Sequence, residues 1–173
     1  MAILKVLKAP DPQLKIVAKP VDKVDNSIRQ LVKNMLETMY AEDGMGLAAT
    51  QVNVHKRVVV MDLNAGYDDR KPDPRCFINP EILWFSEEHS VVNEGCLSVP
   101  ENRAPVERPA RVKIRYLDEK GDSHEEDTDG LLATCIQHEI DHLNGKLFID
   151  HLSKLKHDII MRKLIRLKKM HAI

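Results

Sequence analysis

The clearest pattern of apolar and polar positions lies between residues 25 and 40. Apolar side chains recur there every three or four residues after the polar stretch DNS at 25–27, which is typical of the start of a helix. The apolar positions are Ile28, Leu31, Val32, Met35, Leu36 and Met39. The spacing predicts an amphipathic helix that runs to about Tyr40 and is stopped by the following AEDG.

Short β-branched and aromatic segments follow in the middle of the chain. Turn signals, such as Asn-Ala-Gly at 64–66 and Asp-Glu-Lys-Gly at 118–121, separate them. The predicted strands are residues 57–62, 76–80, 82–85, 89–92 and 111–117. Because so few residues connect them, the spacing favours antiparallel hairpins over parallel strands with helical crossovers.

Two more helices are predicted in the C-terminal part of the chain. One begins near Gly130 and ends close to Asn144-Gly145, where glycine can adopt the left-handed capping conformation. Its apolar positions are Leu131, Leu132, Ile136 and Ile140. The other, at about 152–170, is amphipathic and basic. The predicted fold is therefore α+β, with antiparallel β-sheets packed around a central helix, plus a C-terminal helix.

Length and charge narrow the class of protein. With 173 residues, of which 43% are apolar, we expect one catalytic domain that spans residues 1–173. The net charge of −1 provides no overall field that would attract DNA or a membrane. The N-terminal segment has no apolar run long enough for a signal peptide or a membrane span. We therefore expect a cytoplasmic protein without a membrane or DNA partner.

The stretch GMGLAATQ, residues 44–51, contains the Gly-x-Gly-x-x-Ala pattern of some dinucleotide-binding loops. Such a loop follows a strand and opens a helix whose N-terminus binds the pyrophosphate. Here a predicted helix precedes Gly44, and only residues 47–56 separate Gly46 from the next predicted strand. The order of elements argues against a dinucleotide site.

The strongest chemical signal is HEIDH, an H-E-x-x-H pattern within the second predicted helix. His138 and His142 are four residues apart, so they lie on one helical face about 6 Å apart along the axis and can share one cation. Glu139 follows the first histidine and can face a water bound to that cation. The pattern predicts a metal site with a carboxylate beside it.

A third metal ligand must come from elsewhere in the chain. A histidine six residues after His142, as in metzincins, is excluded because Phe148 stands there, and no glutamate follows Glu139. The downstream alternatives are Asp150, His151, His157 and Asp158.

Two cysteines are the other candidates for the third ligand. We favour Cys96, which adjoins Gly95 in a predicted loop, over Cys135, whose α-carbon lies about 10 Å along the helix from that of His142. Cys76 is predicted to be a strand residue. A site of two nitrogens and one sulfur with an open position indicates zinc by default.

Three segments in this order, GMGLAATQ, EGCLS at 94–98 and HEIDH at 138–142, resemble the peptide deformylases. The signature motifs of that family are G-x-G-L-A-A-x-Q, E-G-C-L-S and H-E-x-D-H, and all three match without departure. The resemblance extends over essentially the whole chain, from the MAILKVL start to the C-terminal helix.

The resemblance implies a reaction and roles for the matching residues. One divalent metal ion would be held by Cys96, His138 and His142, with Fe2+ as the native ion and Zn2+, Ni2+ or Co2+ as substitutes. Metal-bound hydroxide would attack the formyl carbonyl of an N-terminal formyl-methionine, and Glu139 would act as general base and then general acid. The Gln51 side chain and the backbone N–H of Leu97 would stabilise the oxyanion.

The same resemblance predicts the substrate contacts. Backbone polar groups of Gly46 would bind the backbone of the formyl-methionine, because a chain can approach closely where no β-carbon intervenes. Met45, Val92, Leu131 and Cys135 would line the pocket for the methionine side chain. Gly44, Glu94, Gly95 and Arg103 would complete the binding segment and orient the site.

The implied partners are N-formyl-methionyl nascent polypeptides. The C-terminal helix contains seven Lys or Arg and one acidic residue, Asp158, which suggests contact with ribosomal RNA as an alternative to a solvated face.

Two functions other than deformylation are also compatible with the sequence. They are a peptidase acting on internal peptide bonds and a metal-binding or ribosome-associated module without catalysis.

Overall fold

The structure, a computed structural model, describes residues 2–171 and 173. The main elements are α1 (Asn26–Ala41), β1 (Gly46–Ala48), β2 (Val58–Met61), β3 (Arg75–Phe85), β4 (His89–Cys96), β5 (Val99–Pro109), β6 (Val112–Leu117), β7 (Ser123–Thr128), α2 (Gly130–Leu143) and α3 (Lys154–Lys169). Short 3-10 helices lie at Pro12–Lys15, Ala49–Val52 and Phe148–His151.

Helix α1 confirms the first predicted helix, and its start has a clear cause. The Asp25 side chain accepts a hydrogen bond from the Ile28 backbone N–H at 3.1 Å, which satisfies one of the free donors of the first turn. Val32, Met35 and Met39 are buried on the face that packs against β1 and β2. The helix ends at Ala41, shortly before the GMGLAATQ segment begins at Gly44.

The strands form two antiparallel sheets, in agreement with the predicted α+β fold. Five strands pair in the order β1-β2-β3-β6-β7, and β4 and β5 form a separate pair. Helix α2 packs against β1, β2 and the Ala49–Val52 helix. The GMGLAATQ segment is thus a short strand and a 3-10 helix beside α2.

The separate strands predicted at 76–80 and 82–85 are wrong, because both belong to the single strand β3. Pro80 lies in the middle of β3 and cannot donate a backbone hydrogen bond. The pairing of β3 with β6 is irregular between Ile78 and Glu81, and this irregularity accommodates the proline.

Strands β1, β5 and β7 were not predicted, and β4 is longer than predicted. The sequence of β7, SHEEDT, has no apolar residue, yet it pairs with β6 along its whole length at the edge of the sheet. Strand β5 contains Pro105, a residue type that is rare inside strands, but its inward positions Ala104, Val106 and Arg108 are buried in alternation. A prediction from local strand propensity therefore misses strands whose conformation depends on pairing with neighbouring strands.

Helix α2 confirms the second predicted helix, including its end. Gly145 has a positive φ of 76°, the left-handed conformation that the sequence predicted for it. Ile136, Ile140 and Leu143 are buried against β2, β3 and β6 residues in one apolar cluster. The HEIDH segment therefore lies on a helix that is packed on several sides.

Helix α3 confirms the third predicted helix. Ser153 caps its start by accepting a hydrogen bond from the Lys156 N–H at 3.3 Å, and Ile160 and Leu164 are its buried residues. Within the described residues, the structure contains no helix that is long and apolar enough to cross a membrane.

Candidate metal centre

Helix α2 positions both histidines of HEIDH on one face. The ring centroids of His138 and His142 are 5.0 Å apart. Glu139 lies between them in the chain and is 3% exposed. The helical spacing therefore brings the two imidazoles together, as predicted.

Cys96 joins these histidines from the end of strand β4. It lies at the end of a strand and not in the predicted loop, and the β4–β5 pairing is irregular between Gly95 and Cys96. Its Sγ lies 3.2 Å from His142 Nε2. A register change at the end of the strand thus places the thiol against α2.

One possible ligand atom from each of Cys96, His138 and His142 lies within 4.8 Å of the others. In the described part of the chain, this is the one group of three such donors that lies so close together. Burial by itself opposes ionisation of the thiol, but His142 and His138 outweigh it and hold the pKa of Cys96 well below its usual range. A partly buried thiolate beside two imidazoles is a donor set that suits a divalent transition metal.

The alternative ligands lie outside this group. His151 Nε2 is 2.7 Å from Asp141 Oδ2, and His157 lies between Asp150 and Asp158 at 3.3 and 3.1 Å. Their imidazoles therefore already have carboxylate neighbours close to the protein surface.

The other two cysteines are thiols in apolar surroundings. Cys135 Sγ contacts Met45 Sδ at 3.8 Å, and burial raises the pKa of Cys135 to about 12. Burial likewise raises the pKa of Cys76, in β3, to about 11. Both thiols are therefore protonated at neutral pH, in contrast to Cys96.

A buried ion-pair network lies behind His138. Glu94 Oε1 accepts a hydrogen bond from His138 Nδ1 at 2.9 Å, so the Nε2 atom is left for the metal centre. Arg108 donates to both carboxylate oxygens of Glu94, at 2.7 and 2.9 Å, and to Asp141 Oδ2 at 2.8 Å. Burial opposes the charge on Glu94, but His138 and Arg108 outweigh it and lower its pKa. Glu94 is therefore an ionised acceptor that fixes the ring of His138.

Sequence reasoning missed Arg108 and Asp141 as parts of this network. Asp141 belongs to the HEIDH segment, so its place in the motif was a usable signal. Arg108 had no signal, because strand β5 was not predicted and nothing local relates it to Glu94, which is 14 residues away in the chain.

Glu139 has one carboxylate oxygen without a protein partner. Within the described residues, its Oε2 atom is buried and forms no hydrogen bond, and its Oε1 atom lies 3.7 Å from His138 Nε2. Burial raises the pKa of Glu139. A buried, unpartnered oxygen beside the donor group is suited to bind a water or a proton-bearing ligand.

Gly46 lies directly against Glu139. A β-carbon at position 46 would be 3.3 Å from Cδ of Glu139, a contact that would push the carboxylate aside. Gly44 makes a similar close approach, because a β-carbon there would be 2.8 Å from Leu97 Cδ1. Both glycines thus bring the backbone close to site residues.

Gln51 is buried and held in a defined orientation. Its Oε1 accepts a hydrogen bond from the Ala48 N–H at 2.9 Å. Its Nε2 donates to Ser98 Oγ at 3.0 Å and lies 3.5 Å from Cys96 Sγ. The amide N–H₂ therefore faces the donor group.

A cavity of about 600 Å³ opens beside the donor group. It is lined by every residue predicted for substrate binding and by the predicted catalytic residues. These residues are Gly44, Met45, Gly46, Gln51, Val92, Glu94, Gly95, Leu97, Arg103, Leu131, Cys135 and Glu139. The fold therefore brings the three sequence motifs to one cavity.

Comparison with known proteins decides the family. The polypeptide deformylase family model matches residues 3–158. The chain belongs to the peptide deformylase family. Peptide deformylases from Rhizorhabdus wittichii and Pseudomonas aeruginosa are 58% and 55% identical over 167 and 172 residues, which is 95% and 99% of this chain and 94% and 100% of theirs.

Solved peptide deformylase structures agree with this fold. The crystal structure of the Ehrlichia chaffeensis peptide deformylase in complex with actinonin has a TM-score of 0.89 and 44% identity, with 98% of each chain covered. The plant peptide deformylase has a TM-score of 0.89 at 34% identity and covers 97% of this chain and 90% of its own. Membership identifies this protein as a hydrolase of a metal-dependent family.

Proposed function

We propose that this peptide deformylase removes the formyl group from the N-terminal formyl-methionine of newly synthesised proteins and releases formate. One observation carries the proposal: the donor group of Cys96, His138 and His142 lies beside the buried Glu139, and a cavity of about 600 Å³ is lined by Cys96, His138 and Glu139. The names of the relatives support the same substrate class.

The residues of the centre fit one divalent metal ion. Cys96 is a thiolate, Glu94 leaves His138 Nε2 as a ligand atom, and His142 Nε2 faces the sulfur. Fe2+ is the proposed native ion by family resemblance, and Zn2+, Ni2+ and Co2+ are proposed substitutes. When bound, such an ion supplies Lewis acidity and an activated water.

Glu139 is the proposed general base and acid. Its unpartnered Oε2 can accept a proton from water, and its raised pKa makes the protonated form accessible for donation to the leaving amine. One carboxylate can serve both transfers, because the proton taken up from water is the one given to the amine and its loss restores the ionised carboxylate.

Gln51 and Leu97 are the proposed oxyanion donors. Ala48 and Ser98 hold the Gln51 amide in place, and its second N–H, which faces Cys96 Sγ at 3.5 Å, is the one that can donate to the charge that develops on the formyl oxygen. The Leu97 backbone N–H belongs to the peptide group that directly follows Cys96 in the chain, and Leu97 lines the cavity.

The cavity walls are the proposed binding site for the methionine side chain. Met45 and Cys135 contact each other through their sulfur atoms, and Val92 and Leu131 add apolar surface. Sulfur and aliphatic carbon are adaptable neighbours for a thioether side chain.

The test is formate release from a formyl-methionyl tripeptide, with protein purified without oxygen and compared with its chelator-treated form. Release that disappears with the metal and returns on addition of Fe2+ would support the proposal. Glu139→Gln should retain the metal and lose turnover, because the amide is isosteric but cannot take up the proton. Cleavage of unformylated peptides would identify a peptidase, and a metal-loaded protein without any turnover would indicate a binding module.

A ribosome contact through α3 belongs to the same proposal, as does the cytoplasmic location where ribosomes make these chains. The exposed face of α3 combines basic residues with the apolar side chains of Leu155 and Ile159, which are 69% and 42% exposed. Because Ile160 and Leu164 pack in the core, charge reversal is a cleaner test than deletion of the helix.

Charge reversal at exposed positions of α3 should weaken ribosome co-sedimentation and its salt dependence. The test protein is Arg162→Glu/Lys163→Glu/Arg166→Glu. The control reverses three exposed lysines elsewhere, Lys5→Glu/Lys23→Glu/Lys71→Glu. Equal binding by both proteins would contradict a specific role for α3.

A further inference from the structure

Three consecutive residues near the N-terminus, Leu7 to Ala9, are tied to the metal centre. We call residues 7–9 the N-terminal strap. The Leu7 N–H donates to the Gln51 carbonyl at 2.7 Å, and the Ala9 N–H donates to the Ser98 carbonyl at 2.8 Å. The strap therefore connects two segments that contribute to the site.

Between these two bonds, the side chain of Lys8 makes a third. Its Nζ atom donates to the Leu97 carbonyl oxygen at 2.8 Å in a partly buried position. A charged donor to a carbonyl forms a stronger bond than a neutral donor, and partial burial limits screening by water. A positive charge thus lies on the carbonyl of the Leu97–Ser98 peptide.

The same peptide group reaches the sulfur of Cys96. The N–H of Ser98 belongs to the peptide whose carbonyl Lys8 holds, and it donates to Cys96 Sγ at 3.4 Å. A cation on the oxygen of an amide withdraws electron density from its nitrogen and makes the N–H a better donor. The positions of the atoms therefore form a continuous path from the Lys8 ammonium through one peptide group to the sulfur.

Donors to a ligand sulfur alter how much charge it gives to a metal. Hydrogen bonds to thiolate ligands lower their electron donation and are one of the ways in which proteins adjust a metal centre. A metal that receives less charge from sulfur is a stronger Lewis acid. The effect requires no contact between Lys8 and the metal or the substrate.

We propose that Lys8 is a positioning residue that polarises the Leu97–Ser98 peptide and so lowers the electron donation of the Cys96 sulfur to the bound metal. It also holds Leu97, whose N–H is a proposed oxyanion donor, in place. The inference rests on the proposed function, because it requires Cys96 to be a metal ligand.

The test uses the Co2+-substituted protein, because its sulfur-to-cobalt charge-transfer band reports the electron donation of the thiolate. Lys8→Met removes the charge and keeps the length of the side chain, and Lys8→Arg restores a cation. Lys5→Met is the matched control, since Lys5 is an exposed lysine of the same N-terminal segment. We expect Lys8→Met to move the band to longer wavelength, Lys8→Arg to return it towards the original position, and Lys5→Met to leave it unchanged.

Turnover gives a second reading of the same variants. Changes in the shell around metal ligands typically cost 10–100-fold in activity, and we expect Lys8→Met to lower kcat on the order of 10-fold with little change in KM. If Lys8→Met does not fold, Lys8→Gln takes its place, with the same expected direction.

Two results would overturn the proposal. One is a band in Lys8→Met that coincides with that of Lys5→Met. The other is an equal displacement in Lys8→Met and Lys8→Arg, since a change of packing and not of charge would then have moved it. If the Co2+ form of the original protein, without any amino-acid change, lacks the band, then Cys96 is not a ligand. That result would refute the proposed function and not the role of Lys8.

Discussion

Arg108 and Glu94 form a two-bond ion pair in the protein interior, with Nε to Oε2 at 2.7 Å and Nη2 to Oε1 at 2.9 Å. Both side chains are nearly inaccessible to solvent, at 5% and 4% exposed. Glu94 also accepts the hydrogen bond from His138 Nδ1. The ion pair therefore joins the small β4–β5 sheet to the helix that carries the metal centre.

Arg108→Met should destabilise the protein and weaken its hold on metal. Removal of one partner leaves the Glu94 carboxylate buried without its main counter-charge, which typically costs about 3–5 kcal/mol. Metal affinity should fall about 10–100-fold, as for other partners of metal ligands. Urea unfolding and competition with a metal-binding dye measure the two effects.

A surface arginine supplies the control for Arg108. Arg111 pairs with Glu88 at 3.5 Å, and both side chains are more than half exposed, so Arg111→Met should cost no more than about 1 kcal/mol. The additional change Glu94→Gln should recover part of the loss in Arg108→Met, because it removes the stranded charge. Equal costs at positions 108 and 111 would contradict the role of the buried pair.

Gly46→Ala should lower turnover without a large loss of stability. The added β-carbon would lie 3.3 Å from Cδ of Glu139, so the carboxylate must move by a few tenths of an ångström. Because catalysis is sensitive to such displacements, we expect kcat to fall about 10-fold. Gly66→Ala is the opposite case, because Gly66 has open space around it but a φ of 84°. This substitution should lower the free energy of unfolding by about 1–2 kcal/mol and leave kcat unchanged. Steady-state kinetics and thermal unfolding of both variants separate the two kinds of glycine.

The two thiols at the site should respond differently to the same substitution. Cys96→Ala removes a thiolate from the donor group and should reduce metal affinity by more than about 100-fold, which exceeds the usual effect of a residue that supports a ligand without touching the metal. Cys135→Ala removes a protonated thiol that packs on Met45, so it should keep the metal and alter KM more than kcat. Metal content after dialysis gives the ranking, and a reversed ranking would mean that Cys135 is the ligand.

Tyr40→Phe should reduce stability at neutral pH more than in acid. The Tyr40 hydroxyl donates to Asp62 Oδ2 at 2.5 Å, and a hydrogen bond to a charged group contributes about 1.5–3 kcal/mol. Burial opposes the charge on Asp62, but this bond and three backbone N–H donors outweigh it and lower its pKa. A carboxyl group whose pKa is lowered in the folded protein contributes stability that is fully present above its ordinary pKa of about 3.9. This contribution is lost as the pH falls through the pKa of the folded state.

The difference in unfolding free energy between the original protein and Tyr40→Phe should therefore stay constant from pH 7 to about 4 and shrink as the pH falls further, through the lowered pKa of Asp62. Tyr67→Phe is the control. Arg70 lies over the Tyr67 ring at 3.9 Å from its centroid, and within the described residues no carboxylate accepts a hydrogen bond from the Tyr67 hydroxyl. A cost that does not change with pH would show that Asp62 is not the source.

Much of the fold follows from local patterns. Helices α1 and α2 were predicted close to their observed ends, since apolar periodicity, an N-terminal polar residue and a C-terminal glycine act over one or two turns. Strands β5 and β7 were missed because their residues have weak strand propensity, and pairing with β4 and β6 determines their conformation.

The sequence by itself determined the family, the two histidines on one helical face and the glutamate between them, because these depend on motif order and helical spacing. Only the tertiary structure placed Cys96 against His142, Arg108 against Glu94, and Lys8 against Leu97, which is 89 residues away in the chain. No periodicity relates such residues. Their contacts arise when the strands and α2 pack together, and burial then favours charged groups that are fully paired.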